Sequence, residues 1–347
     1  MTQCVLQTSD GEKMVAVKKP MVTVSADEAL KGIGGAHAAA PPLRSEEFGA
    51  LMDGVWSEIE KTQRVHHPNI VTVFSAVLDD NGLIGIVMQL CSEGSVIDFV
   101  QKHGPLDEAT LFVLVYEVAA ALEALHEMGG MVHCDVKGAN ILVTPFVDGE
   151  GRLLYALKLC DLGIAEIGKK NTTRVITLTN EKPVAGTMRY LPPEILCEED
   201  GEAAGGGRRG PWDHHRARDV YGFGHFLYEL ATGHIIFDGK DEARVISAIV
   251  RRNATPEFQS SDNAPEWLQK LAKLCWESDP AKRLDHFGGA AENRPMSHVL
   301  AWLRDANLPL AREAMRQMHN FELFEIRHPF LDMPGRRDGA GAADDEE

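Results

Sequence analysis

The chain has 347 residues, with 35 Lys and Arg against 52 Asp and Glu, a formal net charge of −17. Such a balance argues against a nucleic-acid backbone as the main partner, because phosphate binding needs clustered Lys and Arg. A solvated acidic surface accounts for it, and attraction to basic protein partners is the alternative. With 44% apolar and 25% charged residues the composition is that of a globular protein, long enough for one two-lobed domain or two smaller ones.

Six cysteines (4, 91, 134, 160, 197, 275) are scattered, without C-x-x-C spacing. They suggest neither a disulfide framework nor a zinc site, so a reducing compartment and a cytoplasmic location are expected. The opening MTQCVLQTSDGEK lacks the apolar run of a signal peptide. The most apolar stretch, Leu111 to Leu125, is interrupted by Glu117 and Glu123 and reads as a buried helix, so no membrane partner is expected.

In chain order, MVAVK at 14–18 follows the turn Ser9-Asp10-Gly11 and reads as a strand leaving a hairpin. Residues 26–47 are rich in Ala, Gly and Pro and read as a flexible insertion. A helix is expected around 48–65, then strands at 70–77 and 83–90 joined by the turn Asp79-Asp80-Asn81-Gly82. From about residue 95 the pattern is mostly helical. Residues 107–127 carry apolar side chains at 111, 114, 115, 118, 122 and 125, a helical stripe. Further insertions are expected at about 198–216 and 284–293, and a disordered tail at 334–347. The expected division is a small lobe over 1–89, a larger one over 90–304, and a C-terminal helix with an acidic tail over 305–347. There is no internal repeat.

Two polar knots sit between apolar runs. One is MVHCDVKGANILV, with Asp135, Lys137 and Asn140; the other is LKLCDLGIAEI, with Asp161. Phosphoryl transfer near neutral pH needs a divalent metal on the phosphate oxygens, an acceptor for the attacking hydroxyl's proton, and cations along the phosphate chain. Asp161 and the Asn140 amide are hard oxygen ligands suited to Mg²⁺, and Asp135 could accept the proton. Acids at strand ends can equally be satisfied loop caps; the joint occurrence separates the two readings.

HCDVKGAN resembles the protein kinase catalytic loop H-R-D-L-x-x-x-N, and DLG resembles D-F-G. VAVK at 15–18 is similar to the family's V-A-I-K, and SEIEKTQRVHHPNIV to the helix and strand after it. GTMRYLPPE at 186–194, RARDVYGFGHFLYEL and LCWESDPAKR resemble the end of the activation segment, helix F and the end of helix H. These motifs run in family order from about residue 5 to residue 304. The resemblance implies an α+β, two-lobed kinase fold: a small antiparallel sheet with one helix, then a mainly helical lobe, with ATP and Mg²⁺ between them.

It further implies that Lys18 steadies the α- and β-phosphates, paired with Glu58, and that Asn140 and Asp161 hold Mg²⁺. Asp135 orients or deprotonates the acceptor, Lys137 neutralises the γ-phosphate, and Thr187 bonds the Asp135–Lys137 pair. Asp219 anchors the catalytic loop, and Arg283 pairs with Glu194. Ala16, Met88, Gln89, Cys91 and Leu142 fall at nucleotide-contacting positions, with Met88 as gatekeeper and Gln89 to Cys91 as the hinge that bonds adenine. Lys137 and the H-P-N-I-V, C-W and R-P-M-S-H-V-L wording resemble the tyrosine-kinase-like branch of Ser/Thr kinases, which implies a Ser- or Thr-bearing protein substrate and leaves room for a regulatory partner.

There are departures from the pattern. The only glycine before Lys18 is Gly11, in the hairpin turn, so the glycine-rich loop is absent, either by truncation or as a real feature. A pseudokinase or scaffold module with little ATP turnover is the alternative that this absence supports. Cys134 stands where the family has arginine, and a thiol cannot make the bidentate pair that holds a phosphorylated activation loop. Control through Thr172, Thr173, Thr177 or Thr179 is therefore not expected. Thr62 replaces an apolar side chain and is expected to loosen the active arrangement. His66-His67 and His214-His215 are not expected to bind metal, since adjacent histidines rarely share one ion.

Overall fold

The computed structural model describes residues 2–8, 11–18, 56–78, 84–162, 166–167, 188–197, 211–262, 264–287 and 294–327. Strands β1 (Thr2–Thr8) and β2 (Gly11–Lys18) form a hairpin, with Thr8 opposite Gly11. Side chains alternate across a strand, so Val15 and Val17 pack on one face with Val87, while Ala16 packs on the other. Lys18 shares the face of Ala16. Strands β3 (Val73–Leu78) and β4 (Ile84–Gln89) complete an antiparallel sheet in the order β1-β2-β4-β3. Helix α1 (residues 56–63) buries Glu58, Ile59 and Thr62, a single face at helical spacing. The Thr62 hydroxyl donates to the Glu58 carbonyl at 2.8 Å, so this polar side chain is buried with its hydrogen bond made. The expected helix of 48–65 is described only from 56. The insertion at 26–47 and the turn at 79–82 lie outside the described residues.

The large lobe begins where local chemistry starts helices. Ser95 and Asp98 cap α2 (Val96–His103) reciprocally, and the Asp107 carboxylate accepts from the Thr110 amide at the start of α3 (Glu108–Glu127). By length and composition α3 could cross a membrane, but it is buried against helices on several sides. Two short ladders follow: β5 (Met131–Val132) with β8 (Glu166–Ile167), and β6 (Ile141–Val147) with β7 (Leu153–Leu159). The remaining helices are α4 (Pro193–Leu196), α5 (Pro211–Thr232), α6 (Glu242–Arg252), α7 (Glu266–Cys275), α8 (Pro280–Asp285), α9 (Pro295–Ala306) and α10 (Leu308–Arg327). One core joins α3, α5, α7 and α9 through Leu114, Leu122, Phe223, Phe226, Leu271 and Val299. The sheet of the small lobe and the helices of the large one give the α+β architecture expected from patterning.

Two expected insertions begin or end elsewhere. The chain is already helical from Pro211, where proline suits the first turn because it lacks an N–H to satisfy. At the third, α8 runs to Asp285, and Leu284 and Phe287, three residues apart, are buried in the core. Residues 198–210, 288–293 and the tail 334–347 lie outside the described residues.

Glu117 sits inside α3 with no exposure, and its Oε2 accepts the Leu157 amide at 2.8 Å. Burial pushes its carboxyl up to about 8, and that backbone bond and the Lys158 charge only partly oppose the shift. The ordinary carboxyl value lies near 4.5, so between there and about 8 the folded chain keeps a proton that the unfolded chain has lost. Stability from this group therefore falls as pH rises through that window. Urea denaturation at pH 6 and pH 8.5 is expected to show a drop on the order of 1–3 kcal/mol in the parent that Glu117→Gln largely removes. Equal pH slopes in parent and variant would contradict this assignment.

Candidate active site

Between the lobes, Lys18 at the end of β2 meets two carboxylates from different elements. Its Nζ lies 2.8 Å from Glu58 Oε1 on α1 and 2.7 Å from Asp161 Oδ1 just after β7. Burial lowers the lysine pKa, but the charges of Asp161 and Glu58 outweigh it and hold the ammonium above its usual value. Lys18 therefore stays charged, aimed into the cleft between the lobes.

A second group lies on the segment after β5. Asp135 Oδ2 accepts from Lys137 Nζ and from Asn140 Nδ2, each at 2.7 Å. Asn140 Nδ2 also reaches the Asp135 carbonyl at 2.9 Å. Both side-chain bonds use Oδ2, and Oδ1 takes none from the described residues. Lys137 lies 5.6 Å from the centre of the Tyr190 ring.

His133 joins the two groups. Its Nδ1 accepts the Asp135 amide at 3.2 Å, which leaves Nε2 to donate to the Cys160 carbonyl at 3.0 Å. The Cys160 amide in turn donates to the Asn140 carbonyl at 2.9 Å. The backbone that presents Asp161 is thus pinned on both sides to the loop that presents Asp135 and Asn140.

Asp219, inside α5, holds that loop from below. Its Oδ1 accepts the Cys134 amide at 2.8 Å, and its Oδ2 accepts the His133 amide and His126 Nε2, each at 2.8 Å. Burial pushes its carboxyl up, but the hydrogen bonds and charge of His126, with the His133 amide, hold it below the ordinary value. Cys134 has φ of 69°, the left-handed region that a side-chain-bearing residue seldom adopts. It is buried, with its thiol 3.7 Å from the Val132 carbonyl.

Further along α5, Glu229 accepts the Gly138 amide and the Tyr190 hydroxyl, each at 2.6 Å. It ties the loop that carries Asp135 and Asn140 to the segment before α4, and burial pushes its carboxyl up to about 7. A Cβ on Gly138 would sit 2.8 Å from the Glu229 carboxylate, so the loop's close approach to α5 needs glycine. Arg283, fully buried, is bidentate to Glu194 at 2.7 and 3.1 Å, whereas Arg294 pairs with Glu127.

A buried apolar cluster of Ala16, Ile59, Val71, Val73, Ile86, Met88, Cys91, Leu142 and Cys160 joins the two lobes beside these groups. Four of the five expected nucleotide contacts fall in it. Gln89 does not: its amide donates to the Thr72 carbonyl at 2.8 Å, and its side chain turns to Glu325 on α10. That amide is therefore no donor for a nucleotide, because the β4 ladder uses it. Thr187, Thr172, Thr173, Thr177 and Thr179 lie outside the described residues.

His126, His133, Tyr190, Glu229 and Glu325 took no part in the site expected from sequence. His133 and Tyr190 lie within motif segments, but their partners are distant in the chain. Burial and Lys158 push His67 down to about 4, so it stays neutral, and its Nδ1 accepts the Asn69 amide. Among the described residues no three His, Cys, Asp or Glu could hold a metal by themselves.

A sequence model of the family described as "Protein kinase domain" matches residues 37–293. The chain is similar to Serine/threonine-protein kinase CTR1 of Arabidopsis thaliana, 28% identical over 72% of this chain and 27% of that protein. It is 29% identical to Serine/threonine/tyrosine-protein kinase HT1 of the same plant, over 70% of this chain and 55% of that one. Serine/threonine-protein kinase RAD53 of Saccharomyces cerevisiae is 26% identical over 75% of this chain and 30% of its own length. The chain therefore spans between about a quarter and somewhat over half of these relatives.

The anchoring of the loop by Asp219 is open to test. Asp219→Asn turns one acceptor into a donor facing an amide, and should cost about 2–4 kcal/mol of stability by urea denaturation. A loss below about 0.5 kcal/mol would show that the loop holds itself.

Proposed function

Because this chain belongs to the protein kinase domain family, we propose that it transfers the γ-phosphoryl group of ATP to a serine or threonine hydroxyl of a protein substrate. The carrying observation is the joining of Lys18, Glu58 and Asp161 to Asp135, Lys137 and Asn140 through His133 and the Cys160–Asn140 backbone bond. Isolated loop caps need no such cross-links, whereas transfer between two bound molecules needs cation, metal ligand and proton acceptor in fixed register.

The donor set fits Mg²⁺. Among the described residues the Asn140 side chain bonds only through Nδ2, which leaves its Oδ1 for a cation, and Asp161 adds a carboxylate. Both are hard oxygen donors, and two protein ligands with phosphate oxygens suit this ion better than an all-protein cage. When bound, Mg²⁺ would screen the charge of the phosphate oxygens.

This chain's own residues do the rest. Lys18, kept charged by its two carboxylates, holds the phosphate chain. The Met88, Ala16 and Leu142 cluster takes the adenine face. Lys137 faces the transferring group. The acceptor hydroxyl oxygen bonds to the γ-phosphorus, the bond to the β–γ bridging oxygen breaks, and ADP leaves with the electron pair. The hydroxyl proton passes to Asp135 Oδ1, while the bonds to Oδ2 keep the carboxylate in register.

Asp135→Asn should lower the turnover of a generic basic protein substrate by roughly 10²–10⁴-fold while Mg·ATP affinity changes little. A phosphorylation rate unchanged by this substitution would remove Asp135 from the reaction. Asp161→Ala should abolish the dependence of nucleotide binding on Mg²⁺ without unfolding the chain. In calorimetry, equal nucleotide affinity of the parent with and without Mg²⁺ would count against transfer and in favour of a scaffold role.

A further inference from the structure

Helix α10 lies beyond the stretch that matches the family and carries none of the motifs that placed the site. Its first half is set against α3 and the main core by Ala311 and Ala314, both fully buried. Its second half turns apolar again at Phe321, whose ring lies 5.0 Å from that of Phe146 on β6, with Phe324 at 6.1 Å. Packing of this kind seats the helix firmly on the large lobe. What its last turn then reaches is polar.

Glu325 Oε1 lies 2.7 Å from Gln89 Nε2 and 2.7 Å from Lys158 Nζ. Gln89 is the last residue of β4, immediately before the link between the lobes, and its amide is held in the sheet by the Thr72 carbonyl. Lys158 is on β7, three residues before Asp161, with a fully buried side chain. Its Nζ also donates to the Pro68 carbonyl at 2.7 Å, in the loop between α1 and β3, and lies 5.1 Å from the Phe321 ring. One carboxylate oxygen thus joins a small-lobe strand end to a large-lobe strand, and its lysine partner joins both to the loop behind α1.

A buried ammonium is tolerable only when it is paired, so the geometry around Lys158 is strongly determined. A Gln89 that is bonded to the same carboxylate shares that determination. We propose that Glu325 is a positioning residue: α10 is a strut whose last turn fixes the hinge at Gln89 against the large lobe, so that nucleotide affinity depends on this C-terminal helix. The nucleotide half of the proposal rests on the kinase reading above; the hinge half does not.

The test uses the full chain in four forms: parent, Gln89→Leu, the double variant Lys158→Met/Glu325→Ala, and the rescue form Lys158→Met/Glu325→Gln. Gln89→Leu removes only the hinge arm. The double variant removes the ion pair without stranding a buried charge. Lys158→Met/Glu325→Gln keeps an acceptor for Gln89 at the same reach and likewise strands no charge. Two readouts are taken: deuterium exchange of the peptide containing residues 88–92 without ligand, and Mg·ADP affinity by calorimetry.

The first two variants should speed hinge exchange about fivefold or more, because local opening of that segment becomes easier. They should also raise the Mg·ADP Kd roughly three- to tenfold. Lys158→Met/Glu325→Gln should return both readouts toward the parent. Hinge exchange that stays at the parent rate in both the Gln89→Leu and double variants overturns the strut. Faster exchange with unchanged Mg·ADP affinity overturns the link to the nucleotide site. A parent that binds no Mg·ADP sinks the kinase reading and the nucleotide half together, and the exchange result alone then decides whether α10 holds the hinge.

Discussion

A carboxylate with no access to water needs every lone pair answered, and in this chain Asp219 has its answer in one place. The amides of His133 and Cys134 and the ring of His126 surround it, each at 2.8 Å. The bonds hold Cys134 at φ of 69°, a conformation that would relax without them. From that turn the chain emerges with Asp135, Lys137 and Asn140 in register. His133 then carries the constraint to Cys160, hence to Asp161, and Lys18 carries it across the cleft to Glu58. Remove the acceptor inside α5 and each later contact loses its reference.

The same helix serves the other side of the loop. Gly222 lets α5 approach so closely that a Cβ there would lie 2.7 Å from the Val136 carbonyl. Glu229, three turns after Asp219, accepts from Gly138 and Tyr190. Asp219 and Glu229 differ in electrostatic state although both are buried. The hydrogen bonds and charge of His126, with the His133 amide, hold Asp219 below the ordinary value, whereas the donors around Glu229 and the Lys137 charge do not outweigh burial. Rigidity at one end and a titratable joint at the other follow from what surrounds each carboxylate.

Buried cations elsewhere obey the same rule. Arg283 has no exposure, and it is answered by Glu194, by the Ala217 and Glu277 carbonyls, and by the face of Tyr221 at 4.8 Å. Lys158 is answered by Glu325, by Pro68 and by the Phe321 ring. Such networks contribute little net stability against apolar replacements, but breaking one partner is costly, and that asymmetry fixes geometry. In this chain they fix α4 to α5 through Arg283 on α8, and α10 to β7 through Lys158.

The division of labour between sequence and tertiary structure follows contact range. Features that depend on neighbours along the chain are legible in the residues: the alternation of MVAVK, the Asp107 cap and apolar stripe of α3, and the order of the motifs around Asp135 and Asp161. Thus the α+β lobes could be read directly, as could the two polar knots that the structure brings together. The start of α5 at Pro211 and the core packing of Leu284 and Phe287 could not, because glycine-rich or polar surroundings mask residues whose partners are remote. Nor could the joining of His133 to Cys160, of Tyr190 to Glu229, or of Gln89 to Glu325, whose partners lie 27, 39 and 236 residues apart. No periodicity encodes such pairs; they exist only once the lobes and α10 have packed. By itself the sequence determined which side chains could do the chemistry, and packing alone decided which polar atoms answer one another, since a buried hydrogen bond is chosen by proximity in space.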